Sequence, residues 1–198
     1  MNKLENYGLL GVIKLFFFKI RTFFVFRNAR LIRFPLDLRG KKFISLGKGF
    51  TCGPGCRIEA YSSSKKKVLF IGENVQLNDY VHIASAEKVI IGNNVLMASK
   101  IFITDISHGD YGNHGDERSF PEVSPSLRPL STKSVEIGDN VWIGEFVSIL
   151  PGVKIGKGSI IGSNSVVSRS IPENVIAVGT PAKIVKKFDS ESKKWVKV

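Results

Sequence analysis

Cysteine is nearly absent: Cys52 and Cys56 are the only two thiols in 198 residues. Two cysteines cannot build a disulfide framework, and C-x3-C with no further Cys or neighbouring His is not a zinc-site spacing. Reduced, buried thiols in a cytosolic compartment are the expectation. Long apolar runs are missing too. Lys14, Lys19 and Arg21 interrupt the apolar N-terminal stretch, and no small-residue cleavage site follows it, which argues against a secretory signal. A run of about 18 uncharged apolar residues, the minimum for a spanning helix, does not occur. Acidic side chains are scarce, 17 against 29 basic ones, for a net charge of +12. The excess is local: residues 1–42 hold ten basic and two acidic side chains (+8), leaving +4 for the rest. That head implies an anionic partner. Nucleic acid is excluded, because no nucleic-acid motif occurs and the basic positions are interleaved with aliphatics. Hydrophobic residues at 43% and charged residues at 23% fit one ordered domain with an appendage.

What is present is a period of six. From Ile137 an aliphatic residue recurs at Ile143, Ile149, Ile155, Ile161 and Val167, and Gly follows it at Gly138, Gly144, Gly156 and Gly162. Four residues after the aliphatic position stands a small or β-branched one: Val141, Val147, Val153, Ser159, Ser165. The same register runs through Ile71, Leu77, Ile83 and through Ile91, Met97, Ile103, with a weaker copy at Leu46, Cys52, Ile58. Six is neither the helical 3.6 nor the alternating 2. It predicts a solenoid in which each face of a coil uses six residues. The aliphatic residue points inward, glycine or polar residues turn the corner, and three units close a triangular coil. Interruptions near 59–70, 84–90 and 104–136 are loops leaving that coil.

The units I-G-D-N-V-W, I-G-E-F-V-S, I-L-P-G-V-K, I-G-K-G-S-I and I-G-S-N-S-V resemble the hexapeptide-repeat acyltransferases. The stretch I-P-E-N-V-I-A-V-G-T-P-A-K, from Ile171 to Lys183, is similar to the end of the galactoside and maltose acetyltransferase branch. The resemblance covers about residues 43–187. It implies an all-β fold, a left-handed parallel β-helix; outside it lie a segment over 1–42, read as helical from its composition, and a tail over 188–198. The left hand comes from the family alone, since right-handed crossovers are the rule. The resemblance also implies acetyl-CoA as co-substrate, no metal, a carbohydrate acceptor and a homotrimer.

Residues 104–136 leave the period for about thirty positions rich in polar and turn-forming types. Long loops on a rigid scaffold are functional or disordered. His108 stands at the root of this one, where an imidazole titrating near neutrality suits a general base; a solvated loop histidine is the plainer alternative. Asp105 is a candidate to orient the ring or hold its charge. By the resemblance, His108 matches the catalytic histidine. Family members usually have His-Pro there, whereas this chain has His108-Gly109, a departure more like acetyltransferases of cell-surface polysaccharides. Thirty residues back, Asn78 matches the acceptor-contacting Asn, with Asp79 and Tyr80 as neighbouring candidate contacts. His108 would take the proton of an acceptor hydroxyl as it attacks the thioester, then return it to the leaving thiolate. The Glu145 amide is implied as the oxyanion donor. Trp142 falls in the donor-binding unit, or else covers a coil edge or a subunit contact. Ser163 and Ser168 match positions along the pantetheine path, and Lys183 and Lys186 match basic positions that meet the CoA 3′-phosphate.

The implied function is O-acetyl transfer to a sugar of a surface polysaccharide (lipopolysaccharide, capsule or exopolysaccharide) or its lipid-linked precursor. One rival is a small acceptor: a free sugar, a nucleotide-linked amino sugar or an antibiotic. Another is a γ-type carbonic anhydrase, for which His82, His108 and His114 just supply the three zinc ligands.

The head, residues 4–34, is rich in Phe and aliphatics and predicts a helix broken near Pro35. Lys3, Lys14 and Arg21 share a stripe at 100° per residue, with Lys19 and Arg30 opposite. Two occupants fit its apolar surface. It packs on the coil or at a trimer interface, or it docks on a membrane whose anionic lipids meet its cations. A cytoplasmic enzyme, peripheral on the inner face of the cytoplasmic membrane, is the expectation.

Overall fold

The bends fix the architecture. The computed structural model describes residues 3–112 and 117–198. Within them, short strands end in bends whose apex residue has positive φ. Asn74, Asn94 and Asn140 (φ 55–56°) occupy one edge, and Tyr80, Lys100 and Phe146 (φ 58°) another. Asparagine tolerates the left-handed region better than most side chains, which accounts for the first column. Glycine serves where the backbones of neighbouring turns close in: a Cβ on Gly156 would lie 2.3 Å from the Glu173 nitrogen.

Between the bends the strands stack in parallel, and successive strands pass from sheet A to B to C and back to A. Sheet A contains Leu31–Ile32, Thr51–Cys52, Gln76–Leu77, Leu96–Met97, Trp142–Ile143, Ile160–Ile161 and Val175–Val178. Sheet B contains Leu36–Arg39, Cys56–Ala60, His82–Ser85, Phe102–Thr104, Ser148–Ile149 and Val166–Val167. Sheet C contains Ile44–Leu46, Leu69–Ile71, Val89–Ile91, Val135–Ile137 and Lys154–Ile155, the last bridged to Ile171. The period of six therefore marks one strand and one bend. Ile137, Ile143, Ile149, Ile155, Ile161 and Val167 are each 1% exposed or less. Each such side chain contributes roughly 1.5–3 kcal/mol on burial. Ser159 and Ser165 are fully buried among them but bonded, their hydroxyls donating to the carbonyls of Pro172 (2.7 Å) and Gly162 (2.7 Å).

Both ends differ from the sequence reading. The N-terminal helix, α1 (Lys3–Val25), has a non-helical Gly8 (φ 63°) and stops well before Pro35. Repeated strands begin at Leu31 rather than after residue 42: Ile32 registers with Cys52 and Leu38 with Ile58. At the far end, residues 188–198 are not a free tail. Lys183–Asp189 and Lys194–Lys197 form an antiparallel hairpin that extends sheet A.

Candidate active site

His108 ends a short strand, Ile106–His108, that pairs antiparallel with Leu130–Thr132 at the root of the long excursion. The histidine is exposed. What holds it is Asp105, fully buried just before the strand. Its carboxylate accepts the N–H groups of Ala86 (2.8 Å), Glu87 (2.9 Å) and Lys88 (2.7 Å) and the Ser85 hydroxyl (3.1 Å). Asp105 thus anchors the hairpin to the previous bend instead of orienting the imidazole. The Tyr111 hydroxyl donates to the His108 carbonyl oxygen, and Arg128 Nη1 donates to the Tyr111 oxygen at 2.9 Å.

Gly109 explains the missing proline. Its φ is +105°, a Cβ there would sit 2.6 Å from the Tyr111 hydroxyl, and its N–H donates to the Pro129 carbonyl at 2.7 Å. Proline fixes φ near −65° and has no N–H to donate. Gly109→Pro is therefore expected to cut kcat at least about tenfold while leaving the melting temperature within a few degrees, because the change is confined to the loop. A comparison of turnover and thermal melts checks this, and unchanged kcat would mean that the turn does not position His108.

Asn78, Asp79 and Tyr80 form the bend between sheets A and B. Asn78 is exposed, and its carbonyl accepts the Cys56 thiol at 3.1 Å; both cysteines are free and buried. Asp79 pairs with Arg33 at 3.4 Å, and the Tyr80 ring lies over Gly55. Within one chain the structure does not bring Asn78 to His108. They stand at opposite edges of sheet B, separated by the strand His82–Ser85, a span of roughly 13 Å at 3.3 Å per residue. A groove of about 840 Å³ opens beside the hairpin, lined by Tyr61, Ser62, Ser63, Ser64, Glu87 and Leu130 among others.

The proposed donor residues mostly share one surface. Trp142, half exposed, registers with Ile160, then Ile176, then Lys186, and Lys186 registers with Lys197. Lys183 pairs with Val178 beside that row. At about 4.8 Å per strand, Trp142 and Lys186 lie roughly 14 Å apart. Glu145 and Ser163 occupy successive A-to-B bends, and the Glu145 N–H donates to Ser163 Oγ at 3.1 Å. That amide is engaged, so an oxyanion would have to displace the serine hydroxyl. Ser168 follows Val166–Val167 and lies at the other edge of sheet B, away from Ser163. Lys197, in register with Lys186, escaped the sequence reading because only the hairpin reveals it.

Sequence reasoning also missed a polar cluster on sheet B. Glu59, 2% exposed, receives Arg57 Nη2 (2.7 Å), Arg39 Nη1 (3.0 Å), the Tyr61 hydroxyl (2.5 Å) and His82 Nε2 (2.8 Å). Burial by itself would raise the carboxyl, but hydrogen bonds from Tyr61, Arg57 and His82 outweigh it and push it down to about 2. The available signal was the string C-R-I-E-A, two charges alternating with buried residues. His82 thus has a partner, with its ring 5.2 Å from that of Phe102. Among the described residues no group of three His, Cys, Asp or Glu side chains converges to hold a metal, and His114 lies outside the described residues.

Residues 134–169 match the family described as bacterial transferase hexapeptide (six repeats). Over 193 residues the chain is 48% identical to an Escherichia coli (strain K12) protein named "Putative lipopolysaccharide biosynthesis O-acetyl transferase WbbJ", covering 98% of this chain and 96% of that one. The chain belongs to the bacterial hexapeptide transferases. It is also 33% identical to the galactoside O-acetyltransferase of Lactococcus lactis subsp. lactis (strain IL1403), covering 81% of this chain and 71% of that enzyme. Among solved structures, AntD, a Bacillus cereus N-acyltransferase in complex with dTDP and 3-hydroxybutyryl-CoA, superposes with a TM-score of 0.67 at 20% identity, covering 84% of this chain and 83% of that one. This hexapeptide transferase is thus an acetyltransferase. Its hairpin histidine and its Trp142 row lie on different sheets.

Proposed function

We propose that the protein transfers the acetyl group of acetyl-CoA to a sugar hydroxyl of a surface polysaccharide or its lipid-linked precursor, with His108 as general base. The observation that carries this reading is His108 itself, exposed on a hairpin rooted by buried Asp105 and flanked by an open groove. The acceptor hydroxyl loses its proton to His108 as its oxygen attacks the thioester carbon. The oxyanion forms beside the Glu145 amide, and its collapse releases CoA thiolate, which takes the proton back from the imidazolium. Trp142, Ser163, Lys183 and Lys186 receive the donor along sheet A, the lysines meeting phosphate as point charges. Asn78 and Tyr80 contact the acceptor.

The stacked turns form a left-handed β-helix in this proposal, and three chains join so that the sheet A row of one faces the hairpin of the next. The relatives named as lipopolysaccharide and galactoside O-acetyltransferases support a carbohydrate acceptor. The small-acceptor alternative is less supported, because the relative at 48% identity is named for lipopolysaccharide biosynthesis. The work takes place in the cytoplasm, at the inner face of the cytoplasmic membrane.

The test is thiol release from acetyl-CoA by the purified protein, with lipid-linked oligosaccharide or a free sugar as acceptor. Release is expected to rise at least about tenfold with the lipid-linked acceptor and to be unaffected by EDTA, because the imidazole itself takes the proton. Equal release with every acceptor would remove the polysaccharide assignment, and EDTA-sensitive activity restored by zinc would remove the metal-free mechanism.

A further inference from the structure

The side of α1 turned away from the sheets is apolar. Phe18, Thr22 and Val25 face the protein. Phe18 meets the Phe34 ring at 5.7 Å, and Thr22, 1% exposed, accepts the Ile32 N–H at 2.8 Å. On the opposite side, Ile13, Phe16, Phe17, Ile20, Phe23 and Phe24 are 44–76% exposed. At 100° per residue these six fall within an arc of about 120°. At the borders of that face Lys14 and Arg21 lean over the Phe18 (5.6 Å) and Phe34 (4.0 Å) rings and Lys19 donates to the Arg30 carbonyl at 2.6 Å, all three side chains staying exposed. The exposed face amounts to roughly 500 Å² or more, at the upper end of what a lone soluble chain presents.

We infer that α1 is an in-plane membrane anchor: its six outward apolar side chains enter the headgroup–acyl boundary, and Lys14, Lys19 and Arg21 meet anionic lipid headgroups. Such anchoring is the structural form of the membrane-face location proposed above, and it holds whatever the acceptor is. Charge selects the occupant. Residues 1–35 carry seven basic side chains and one acid, Glu5, so a second copy on this face would set cations against cations. An anionic leaflet supplies the opposite sign. No helix among the described residues is long and apolar enough to cross a membrane, so α1 is placed in the plane of the interface. The two Phe pairs, 16–17 and 23–24, sit one above the other along the helix, and Arg27 rests over the Phe23 ring at 5.5 Å. Aromatic rings beside cations suit the interface rather than the acyl interior.

The full-length protein is mixed with vesicles of phosphatidylcholine containing about 30% phosphatidylglycerol, and with vesicles of phosphatidylcholine alone. Co-sedimentation is expected with the first, and to fall at least about tenfold at 0.5 M salt. Each cation at an anionic surface strengthens binding about fivefold, so Lys14→Gln with Lys19→Gln is expected to weaken it about 25-fold. Phe16→Ser, Phe17→Ser and Phe24→Ser combined should abolish co-sedimentation while light scattering and acetyl-CoA binding stay those of the wild type. Should that triple variant fail to fold, Phe17→Trp takes its place, with quenching of the introduced indole by brominated lipid expected in the anionic vesicles. Failure of the wild-type protein to co-sediment, or an unquenched indole in the Phe17→Trp variant, would overturn the anchor. A soluble triple variant of reduced oligomeric size would overturn it too, by making the face a subunit contact. Vesicle binding without any acetyl transfer would leave the anchor standing and remove only the proposed activity.

Discussion

His108→Ala is expected to lower kcat by about 10²–10⁴-fold, the usual contribution of a positioned base, with acetyl-CoA affinity within about twofold of wild type. The separation follows from the geometry. His108 projects from the hairpin, whereas the row proposed for the donor, from Trp142 to Lys186, lies on sheet A. Because the side chain is exposed, its loss should also leave the melting temperature unchanged within about 2 °C. Stopped-time assays, calorimetric titration with CoA and thermal melts measure the three quantities. Near-normal kcat would place the base elsewhere, and a large fall in melting temperature would make His108 a structural residue.

Glu59→Gln is expected to cost well over the loss of a typical surface substitution. Lowering a carboxyl from 4.5 to about 2 corresponds to about 3 kcal/mol at 1.36 kcal/mol per pH unit. Arg39 and Arg57 are nearly half exposed, and solvent screening reduces the figure to about 2 kcal/mol. For a chain of this length that means a melting temperature lower by about 4–8 °C at pH 7. The sign with pH follows from the direction of the shift. The folded-state carboxyl titrates below the unfolded one, so its contribution is complete above about pH 4.5 and is lost as pH falls from there toward 2. Wild-type stability should therefore drop through that window, and the Gln variant should lack this component of the drop. Parallel pH profiles for the two proteins would show that the cluster contributes nothing.

The repeat was legible because burial alone dictates it. Every sixth residue points inward, and Ile137 through Val167 show the spacing without interruption. Where other forces decide, the sequence was less informative. Ile32 and Leu38 are also six apart, but they lie within the Phe-rich head, whose composition suggested a helix as far as Pro35; the first two strands were hidden there. Glu59 stands where the period of six breaks off, and nothing local announces that Arg39, Tyr61 and His82 come from other strands and loops to cover it. Asp105 was read as a partner of His108 from its closeness in sequence. In space the three consecutive amides of the preceding bend claim it instead. The Lys197 register depends on an antiparallel hairpin that no period of six predicts. Gly109 was legible only as a departure from the usual proline, and the hairpin supplies its reason in a φ of +105°.

Acetylation of a surface glycan by His108-dependent chemistry is the central claim, and mass spectrometry of that glycan tests it most directly. Surface polysaccharide and its lipid-linked precursor are compared from cells carrying the wild-type protein, the His108→Ala variant and no copy. One acetyl group, about 42 Da per modified repeat and labile to mild base as an O-ester, is expected only with the wild-type protein. Identical glycan masses in all three, or full acetylation with His108→Ala, would contradict it.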